Sequence, residues 1–336
     1  MSSIIKPLKK IGVMTSGGDC PGLNAALRAI VRRAKKDYGL SVIGFMRAWE
    51  GLLEGEFFEM DFRHVSGILP LGGTILHTTR KNLLERPGNI ENVLARLDEI
   101  ALDGLIIIGG DGTLHWAWQV HRRWPKVVFI PKTIDNDVWG TRYSIGFDTA
   151  VSVAVEALDR LHTTAESHDR VFVVDVMGRA TGWIAIHAGI AGGADVIVIP
   201  EHPLREDEVL RIVDERRSRG KSFSIIIVAE GVHYVAMREK DNAASYLARK
   251  VESELGISAR TVKLDYVLRG GTPTSYDRLL ATRMGFTAVD FLVQGKFGKM
   301  TALRGTQIAS VPIQRVVGRI NRVDETLWAM ARTFFG

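Results

Sequence analysis

The chain of 336 residues is 46% hydrophobic and 24% charged, a composition typical of a soluble globular protein long enough for two domains. Its uncharged apolar stretches are strand-sized and no signal-peptide-like segment precedes Gly17, so no membrane span is expected and a cytoplasmic location is the default. The formal net charge is +6, but the basic residues are dispersed among acidic ones, which argues against a nucleic-acid partner. Cys20 is the single cysteine, which argues against a disulfide framework and against a cysteine-based zinc cluster.

The first glycine loop lies between a predicted strand and a predicted helix. The apolar run Lys9–Thr15 predicts the strand, and the helical period of Leu23–Asp37, closed by Gly39, predicts the helix. The loop between them, Ser16–Gly22, offers backbone N–H groups and a helix N-terminus to a phosphate. It matches neither a Walker A sequence nor GxGxxG, so the alternative is that its glycines only make a tight turn.

A basic loop follows at Arg80 and Lys81. Ser41–Met46 before it predicts a strand, and Asn89–Ala101 after it predicts a helix with Asn89 as its N-cap. The two adjacent cations are either solvated or placed to clamp phosphate oxygens.

A second strand, glycine loop and helix carry an acidic residue in the loop. Leu105–Ile108 predicts the strand, Gly109–Thr113 forms the loop, and the helix is expected to continue through Trp118. Asp111 would place a carboxylate beside a phosphate cradle. This arrangement suits Mg²⁺, which binds through one or two carboxylates plus phosphate oxygens.

The segment Pro131–Asp137 follows the buried-strand pattern Val127–Ile130 and concentrates polar side chains. If its backbone stays extended, the period of two places Thr133, Asp135 and Asp137 on one side. Two neighbouring carboxylates repel each other, which raises the pKa of one of them. One element could then supply both a general base and an acidic side chain next to a metal ion. The alternative is a loop of Asx-type turns, which Asp and Asn favour.

The second half of the chain continues the alternation of strands and helices. The predicted elements are helix Thr149–Thr164, strand Val171–Val176 with the loop Met177–Gly182, strand Val196–Ile199, helix Glu206–Arg219, strand Ser224–Ala229, helix Asn242–Leu255, the extended segment Arg260–Leu268, helix Tyr276–Gln294 and a last helix near Val323–Thr333. This alternation predicts an α/β fold with parallel sheets covered on both faces. Six polar or glycine-rich positions each follow a predicted strand: Gly17–Gly22, Gly109–Thr113, Lys132–Asp137, Met177–Gly182, Glu230 and Arg269–Gly271. They are therefore expected to converge on one cleft equipped for phosphoryl transfer.

Five motifs stand in order along most of the chain: Ser16–Asp19, Gly110–Thr113, Pro131–Asp137, Met177–Arg179 and Arg269–Gly271. From about Lys9 to Gly305, this set resembles the 6-phosphofructokinase family. Thr-Ile-Asp-Asn-Asp followed by Met-Gly-Arg is the specific part, because NAD kinases and lipid kinases share Gly-Gly-Asp-Gly. The resemblance implies two doubly wound parallel-sheet domains with the active site in the cleft between them. The nucleotide-binding domain would comprise residues 1–146 plus about 268–309, and the sugar-phosphate-binding domain residues 147–267 plus about 310–336.

The resemblance also implies a role for each matching residue. Asp135 would be the general base toward the sugar 1-hydroxyl, with Thr133 and Asp137 alongside, and Arg179 would stabilise the transferring phosphoryl group. Asp111 would hold Mg²⁺. The nucleotide positions would be Gly18, Arg80, Lys81, Gly110, Asp111, Gly112 and Thr113. The sugar-phosphate positions would be Thr133, Asp135, Arg170, Met177, Gly178, Arg179, Glu230, Arg260, Tyr266 and Arg269, where Tyr266 replaces the histidine of many bacterial members.

The implied activity is Mg²⁺-dependent transfer of the γ-phosphoryl group of ATP to fructose 6-phosphate in glycolysis. Two positions separate ATP users from pyrophosphate users in this family, here Gly112 and Lys132. Pyrophosphate enzymes have aspartate at the first position and lysine at the second, so Gly112 favours ATP and Lys132 favours pyrophosphate. We expect ATP, because steric and like-charge exclusion outweighs one added attraction. The alternatives are a pyrophosphate-dependent phosphofructokinase, an NAD or lipid kinase, and a non-catalytic sugar-phosphate sensor.

The resemblance finally implies an oligomer. In the family, the counterparts of Arg170 and Arg260 reach in from a neighbouring subunit. A homodimer or homotetramer with active sites shared between subunits is therefore expected, with fructose 6-phosphate and ATP as the small-molecule partners and with no nucleic-acid or membrane partner.

Overall fold

The computed structural model of the chain describes residues 8–79, 81, 83–238 and 241–336, which form two compact units. Unit 1 contains the described residues up to Thr133, together with Val138–Asp148 and Arg269–Ile320. Unit 2 contains Ile134–Asp137, Thr149–Leu268 and Asn321–Gly336.

The strands and helices alternate along most of the chain. The strands are β1 (Lys10–Thr15), β2 (Ser41–Phe45), β3 (Phe57–Met60), β4 (Gly104–Gly109), β5 (Val127–Pro131), β6 (Val171–Val176), β7 (Val196–Val198), β8 (Ser224–Ala229), β9 (Ala259–Lys263), β10 (Lys299–Arg304) and β11 (Gln307–Pro312). The helices are α1 (Leu23–Tyr38), α2 (Trp49–Glu54), α3 (Asn89–Glu99), α4 (Asp111–His121), α5 (Phe147–His168), α6 (Trp183–Ala191), α7 (Glu206–Ser218), α8 (Ala243–Leu255), α9 (Ser275–Val293), α10 (Ile313–Val316) and α11 (Glu325–Arg332).

Unit 1 is built on a seven-stranded sheet in the order β11-β10-β5-β4-β1-β2-β3. The five inner strands are parallel, and the edge strands β3 and β11 pair antiparallel with their neighbours. Every residue of β4 and β5 is buried, because their continuous apolar runs send side chains to two covered faces. Since β1, β4 and β5 are parallel neighbours, the loops that follow them lie along one edge of the sheet.

Unit 2 is built on a four-stranded parallel sheet in the order β7-β8-β6-β9. All six residues of β8 are buried, whereas three of the five residues of the edge strand β9 are exposed. The adjacent strands β6 and β8 end next to each other, so the loop Met177–Gly182 and Glu230 meet at the same edge. The predicted α/β fold with parallel sheets is therefore confirmed, and the larger sheet carries an antiparallel strand pair at each of its two edges.

Six of the strands and helices lie in stretches where no element was predicted: α2, β3, α6, β10, β11 and α10. The helix α6 has a buried, almost wholly apolar sequence, which leaves no amphipathic period to detect. The described part of the chain contains no helix with both the length and the apolar composition to span a bilayer.

Two local predictions are wrong. Asn89 is not an N-cap: Gly88 occupies that position, and the Asn89 amide donates instead to the carbonyl of Leu83 at 2.7 Å. The segment Arg260–Leu268 is not extended throughout. Its strand ends at Lys263, and a short 3₁₀ helix, Asp265–Arg269, follows.

The units differ from the predicted domain boundaries at residues 134–137 and 310–320, and by one or two residues near 147 and 268. β11 pairs along its whole length with β10, which places residues 310–312 in unit 1, and residues 313–320 belong to unit 1 as well. Ile134–Asp137 belongs to unit 2, since hydrogen bonds from Thr181 and Asn321 tie its carbonyls there. The assignment of one unit to nucleotide and the other to sugar phosphate stays a prediction.

Candidate active site

The glycine loops of unit 1 contact one another at the carboxyl edge of the sheet. The hydroxyl of Thr113 donates to that of Ser16 at 3.3 Å, and the hydroxyl of Thr78 donates to the carbonyl of Gly17 at 2.5 Å. Gly17 has a φ of +83°, in the left-handed region that glycine enters without strain. The two loops predicted to bind the nucleotide are therefore in contact through the hydroxyls of Ser16 and Thr113.

Lys132 bridges two backbone carbonyls of the first glycine loop. Its side chain is buried, and its ammonium donates to the carbonyl of Ser16 at 3.1 Å and to the carbonyl of Gly18. A buried ammonium is costly unless its charge is compensated, and these two carbonyl dipoles contribute to that compensation. The Lys132 ammonium, predicted to attract pyrophosphate, thus uses part of its hydrogen-bonding capacity on backbone carbonyls of the protein.

Gly18 and Arg269 are in direct contact in unit 1. A Cβ added at residue 18 would overlap the guanidinium of Arg269, so only glycine fits there while the arginine stays in place. The structure thus places Arg269, predicted to bind the sugar phosphate, against the first glycine loop.

Asp111 and Gly112 occupy the first turn of α4, after Gly110 as the N-cap. Asp111 is half-buried, and Gly112 is exposed with no atom within 4 Å of the position a Cβ would take. No group of three His, Cys, Asp or Glu side chains able to hold a metal occurs within the described ranges. A single carboxylate beside a phosphate cradle still fits Mg²⁺, because this ion takes most of its ligands from phosphate oxygens and water.

The basic loop is described only in part. Lys81 donates to the carboxylate of Glu50 at 2.6 Å, and this hydrogen bond lowers the pKa of Glu50. The side chain of Lys81 is itself 63% exposed. Arg80, predicted to share the nucleotide contact, lies outside the described residues.

The segment after β5 turns instead of continuing as a strand. Asn136 has a φ of +51°, so the extended backbone proposed for Thr133, Asp135 and Asp137 is wrong. Thr133 belongs to unit 1, whereas Asp135 and Asp137 are buried in unit 2. The alternative prediction of a turn-forming segment fits, because asparagine tolerates the left-handed conformation better than most residues.

The Met-Gly-Arg turn is organised by Glu230. One oxygen of its carboxylate accepts from the backbone N–H of Gly178 at 3.2 Å and from that of Arg179 at 2.6 Å. The guanidinium of Arg179 lies 3.9 Å from the carboxylate of Asp137, and 61% of its side chain is exposed. Glu230 therefore fixes the backbone of the turn that carries Arg179. Met177, at the start of this turn, is half-buried.

The other predicted sugar-phosphate positions of unit 2 have different surroundings. Arg260 is exposed and pairs with the carboxylate of Glu252 at 2.8 Å. Tyr266 is also exposed, and Arg170 is half-buried in the turn before β6. The guanidinium of Arg260, in β9, thus faces helix α8 of the same chain.

Asp175 in β6 was missed by sequence reasoning. It is buried, and burial raises its pKa to about 6. Its carboxylate accepts a hydrogen bond of 2.6 Å from Asn242, the N-cap of α8. The available signal was a carboxylate inside the otherwise apolar run Val171–Val176, where an ionisable group needs a partner.

The chain is similar in sequence and in structure to known phosphofructokinases. It matches the phosphofructokinase family over residues 10–292. It is 48% identical to ATP-dependent 6-phosphofructokinase 3 of Streptomyces coelicolor (96% of this chain, 98% of the relative). It is 46% identical to the pyrophosphate--fructose 6-phosphate 1-phosphotransferase of the same organism (97% and 100%). The structure of phosphofructokinase from Saccharomyces cerevisiae superposes with a TM-score of 0.84 at 33% identity, covering 97% of this chain and 46% of the yeast chain. The chain therefore belongs to the phosphofructokinase family and is a phosphotransferase, as its motifs predicted.

Proposed function

We propose that the protein is an ATP-dependent 6-phosphofructokinase, which transfers the γ-phosphoryl group of ATP to the 1-hydroxyl of fructose 6-phosphate in glycolysis. The products are fructose 1,6-bisphosphate and ADP. The observation that carries the proposal is the turn after β5, which buries Asp135 and Asp137 with the Arg179 guanidinium 3.9 Å from Asp137. Phosphoryl transfer depends mainly on positioning and charge neutralisation; this turn supplies the carboxylates, and Arg179 from the Met-Gly-Arg turn supplies the cation.

Asp135 acts as the general base that accepts the proton of the sugar 1-hydroxyl as the hydroxyl oxygen attacks the γ-phosphorus. Thr133 and Asp137 flank it in sequence, and Asp137 lies beside the Arg179 guanidinium. That exposed guanidinium stabilises the negative charge on the transferring phosphoryl group. Glu230 contributes indirectly, because its carboxylate holds the backbone N–H groups of the turn that carries Arg179.

The nucleotide is held by the loops of unit 1. Gly18 and the Gly110–Thr113 loop present backbone to the phosphates, and Lys81 and Arg80 supply positive charge. Asp111 would hold Mg²⁺, which neutralises charge on the phosphate oxygens when it is bound.

The sugar phosphate is held by Arg170, Met177, Gly178, Glu230, Arg260, Tyr266 and Arg269, together with the reacting segment. Arg170 and Arg260 act on the sugar phosphate of a neighbouring copy, so the working enzyme is a homodimer or homotetramer. The exposure of Arg260 supports this assignment, since an arginine at the surface can exchange a carboxylate such as that of Glu252 for a phosphate.

ATP is favoured over pyrophosphate by the surroundings of Gly112 and Lys132. The space beside Gly112 is open, which suits a nucleotide whose α-phosphate approaches the helix. The ammonium of Lys132 donates to two loop carbonyls, so its contribution to a compact anion is reduced. Pyrophosphate is the second candidate donor, because Lys132 is present and a relative 46% identical is named for that donor.

Steady-state kinetics with fructose 6-phosphate test the proposal directly. We expect a higher kcat/KM with ATP than with pyrophosphate at equal Mg²⁺. A higher kcat/KM with pyrophosphate would overturn the choice of donor. Phosphorylation of NAD or of a lipid in place of fructose 6-phosphate would overturn the acceptor, and ligand binding without turnover would indicate a sensor.

A further inference from the structure

Three consecutive backbone carbonyls of the segment Ile134–Asp137 accept hydrogen bonds within unit 2. The hydroxyl of Thr181 donates to the carbonyl of Asp135 at 3.1 Å. The side-chain amide of Asn321 donates to the carbonyl of Asn136 at 2.8 Å, and its backbone N–H donates to the carbonyl of Asp137 at 2.9 Å. Asn321 therefore holds two of these three peptide groups at once.

The backbone of this segment needs such support because Asn136 is left-handed, with a φ of +51°. A residue other than glycine in this region costs on the order of 1 kcal/mol, and the conformation persists only where the surroundings hold it. Rotation of either peptide group beside Asn136 would swing the carboxylates of Asp135 and Asp137. The Thr181 hydroxyl opposes rotation of the first of these peptide groups through the Asp135 carbonyl, and the Asn321 amide opposes rotation of the second through the Asn136 carbonyl.

Asn321 is itself anchored to the start of α6. The indole N–H of Trp183 donates to the carbonyl of Asn321 at 2.8 Å. The carboxylate of Glu201 then accepts from the backbone N–H of Gly182, at 2.9 Å from one oxygen, and from that of Val323 at 3.2 Å from the other. The C-terminal segment of unit 2 is therefore joined both to the buried carboxylates and to the end of the Met177–Gly182 loop.

We propose that Asn321 is a positioning residue for phosphoryl transfer, which fixes the peptide groups that aim the carboxylates of Asp135 and Asp137. The inference rests on the proposed function, in which Asp135 is the base. Asn321 lies beyond residues 10–292, the part of the chain that matches the family, and none of the motifs contains it. Its role follows only from the contacts that its amide and backbone N–H make.

Two substitutions and a neighbouring control separate positioning from folding. Asn321→Ala removes the donor to Asn136, and Asn321→Asp keeps the shape but turns an acceptor toward the same carbonyl. Because small misplacements of reacting groups cost up to about 10²-fold, we expect kcat to fall about tenfold for Asn321→Ala and about 50-fold for Asn321→Asp. The KM values for ATP and fructose 6-phosphate should change less than about threefold, since the alignment of the carboxylates matters mainly in the transition state and not for substrate binding. Arg322→Ala, at the exposed next residue, should behave like the wild type.

A double-mutant cycle with Asp135→Asn gives the decisive measurement. If Asn321 acts through Asp135, Asn321→Ala should cost less than about twofold in the residual activity of the Asp135→Asn protein. An equal cost in both backgrounds, wild-type kcat in Asn321→Asp, or a thermal midpoint far below that of Arg322→Ala would overturn the inference. An active wild-type enzyme with any of these results refutes only the role of Asn321, whereas a wild type inactive on fructose 6-phosphate refutes the proposed function.

Discussion

The substitution Gly112→Asp isolates the choice of phosphoryl donor from the stability of the fold. Gly112 is exposed in the first turn of α4, and a Cβ there meets no atom within 4 Å. An aspartate in this turn improves on the helix propensity of glycine and interacts favourably with the helix dipole, each by a few tenths of a kcal/mol or more. We therefore expect the free energy of unfolding to stay equal or to rise by about 0.5–1 kcal/mol.

The effect on ATP should run in the opposite direction. A carboxylate about 6 Å from a phosphate charge, at an effective dielectric constant of 20, is repelled by roughly 3 kcal/mol. That energy corresponds to a loss of about 10²-fold in kcat/KM for ATP. Pyrophosphate has no α-phosphate and should lose much less.

The matched control is Gly112→Asn, which has nearly the same shape without the charge. Steady-state kinetics with each donor and thermal unfolding of all three proteins provide the comparison. Equal losses for Asn and Asp would mean that the side chain acts by size alone. Unchanged use of ATP by Gly112→Asp would refute the electrostatic reasoning. Lys132→Gly is a poor complement, because removal of the ammonium also releases the carbonyls of Ser16 and Gly18.

Three further predictions concern unit 2. Asp135→Asn should lose at least ~10²-fold in kcat, the usual worth of a general base, with unchanged circular dichroism and ATP affinity; near-normal turnover would remove the base. Mixing Arg260→Ala and Asp135→Asn proteins should restore partial activity through hybrid sites, and demonstrated subunit exchange without recovery would mean that each chain completes its own site. Asp175 has its pKa raised to about 6 by burial, so its contribution to stability is full at low pH and is lost as pH rises from about 4 to about 6. Relative to wild type, Asp175→Asn should therefore gain on the order of 2 kcal/mol in free energy of unfolding between pH 4 and pH 7, and a parallel pair of pH profiles would contradict the shift.

Local patterns in the sequence were sufficient for the fold class and for the positions of the polar loops. The continuous apolar runs that became β4, β5 and β8 had to be buried on both faces, and this happens in parallel sheets covered by helices. Glycines and carboxylates that directly follow such strands must then lie at the carboxyl edges of the sheets. The turn of Asn136 was within reach of the same reasoning, because its Asx-rich sequence already offered the alternative to an extended strand.

Tertiary structure alone decided which groups these side chains contact. Lys132 reaches the carbonyl of Ser16 across 116 positions, and Asn321 reaches that of Asn136 across 185. Neither contact has a local signature, since a lysine or an asparagine is compatible with solvent, a turn or a buried carbonyl until the chain brings partners near. Burial then determines which partner each side chain contacts, because a polar group removed from water must find a hydrogen-bond partner within reach.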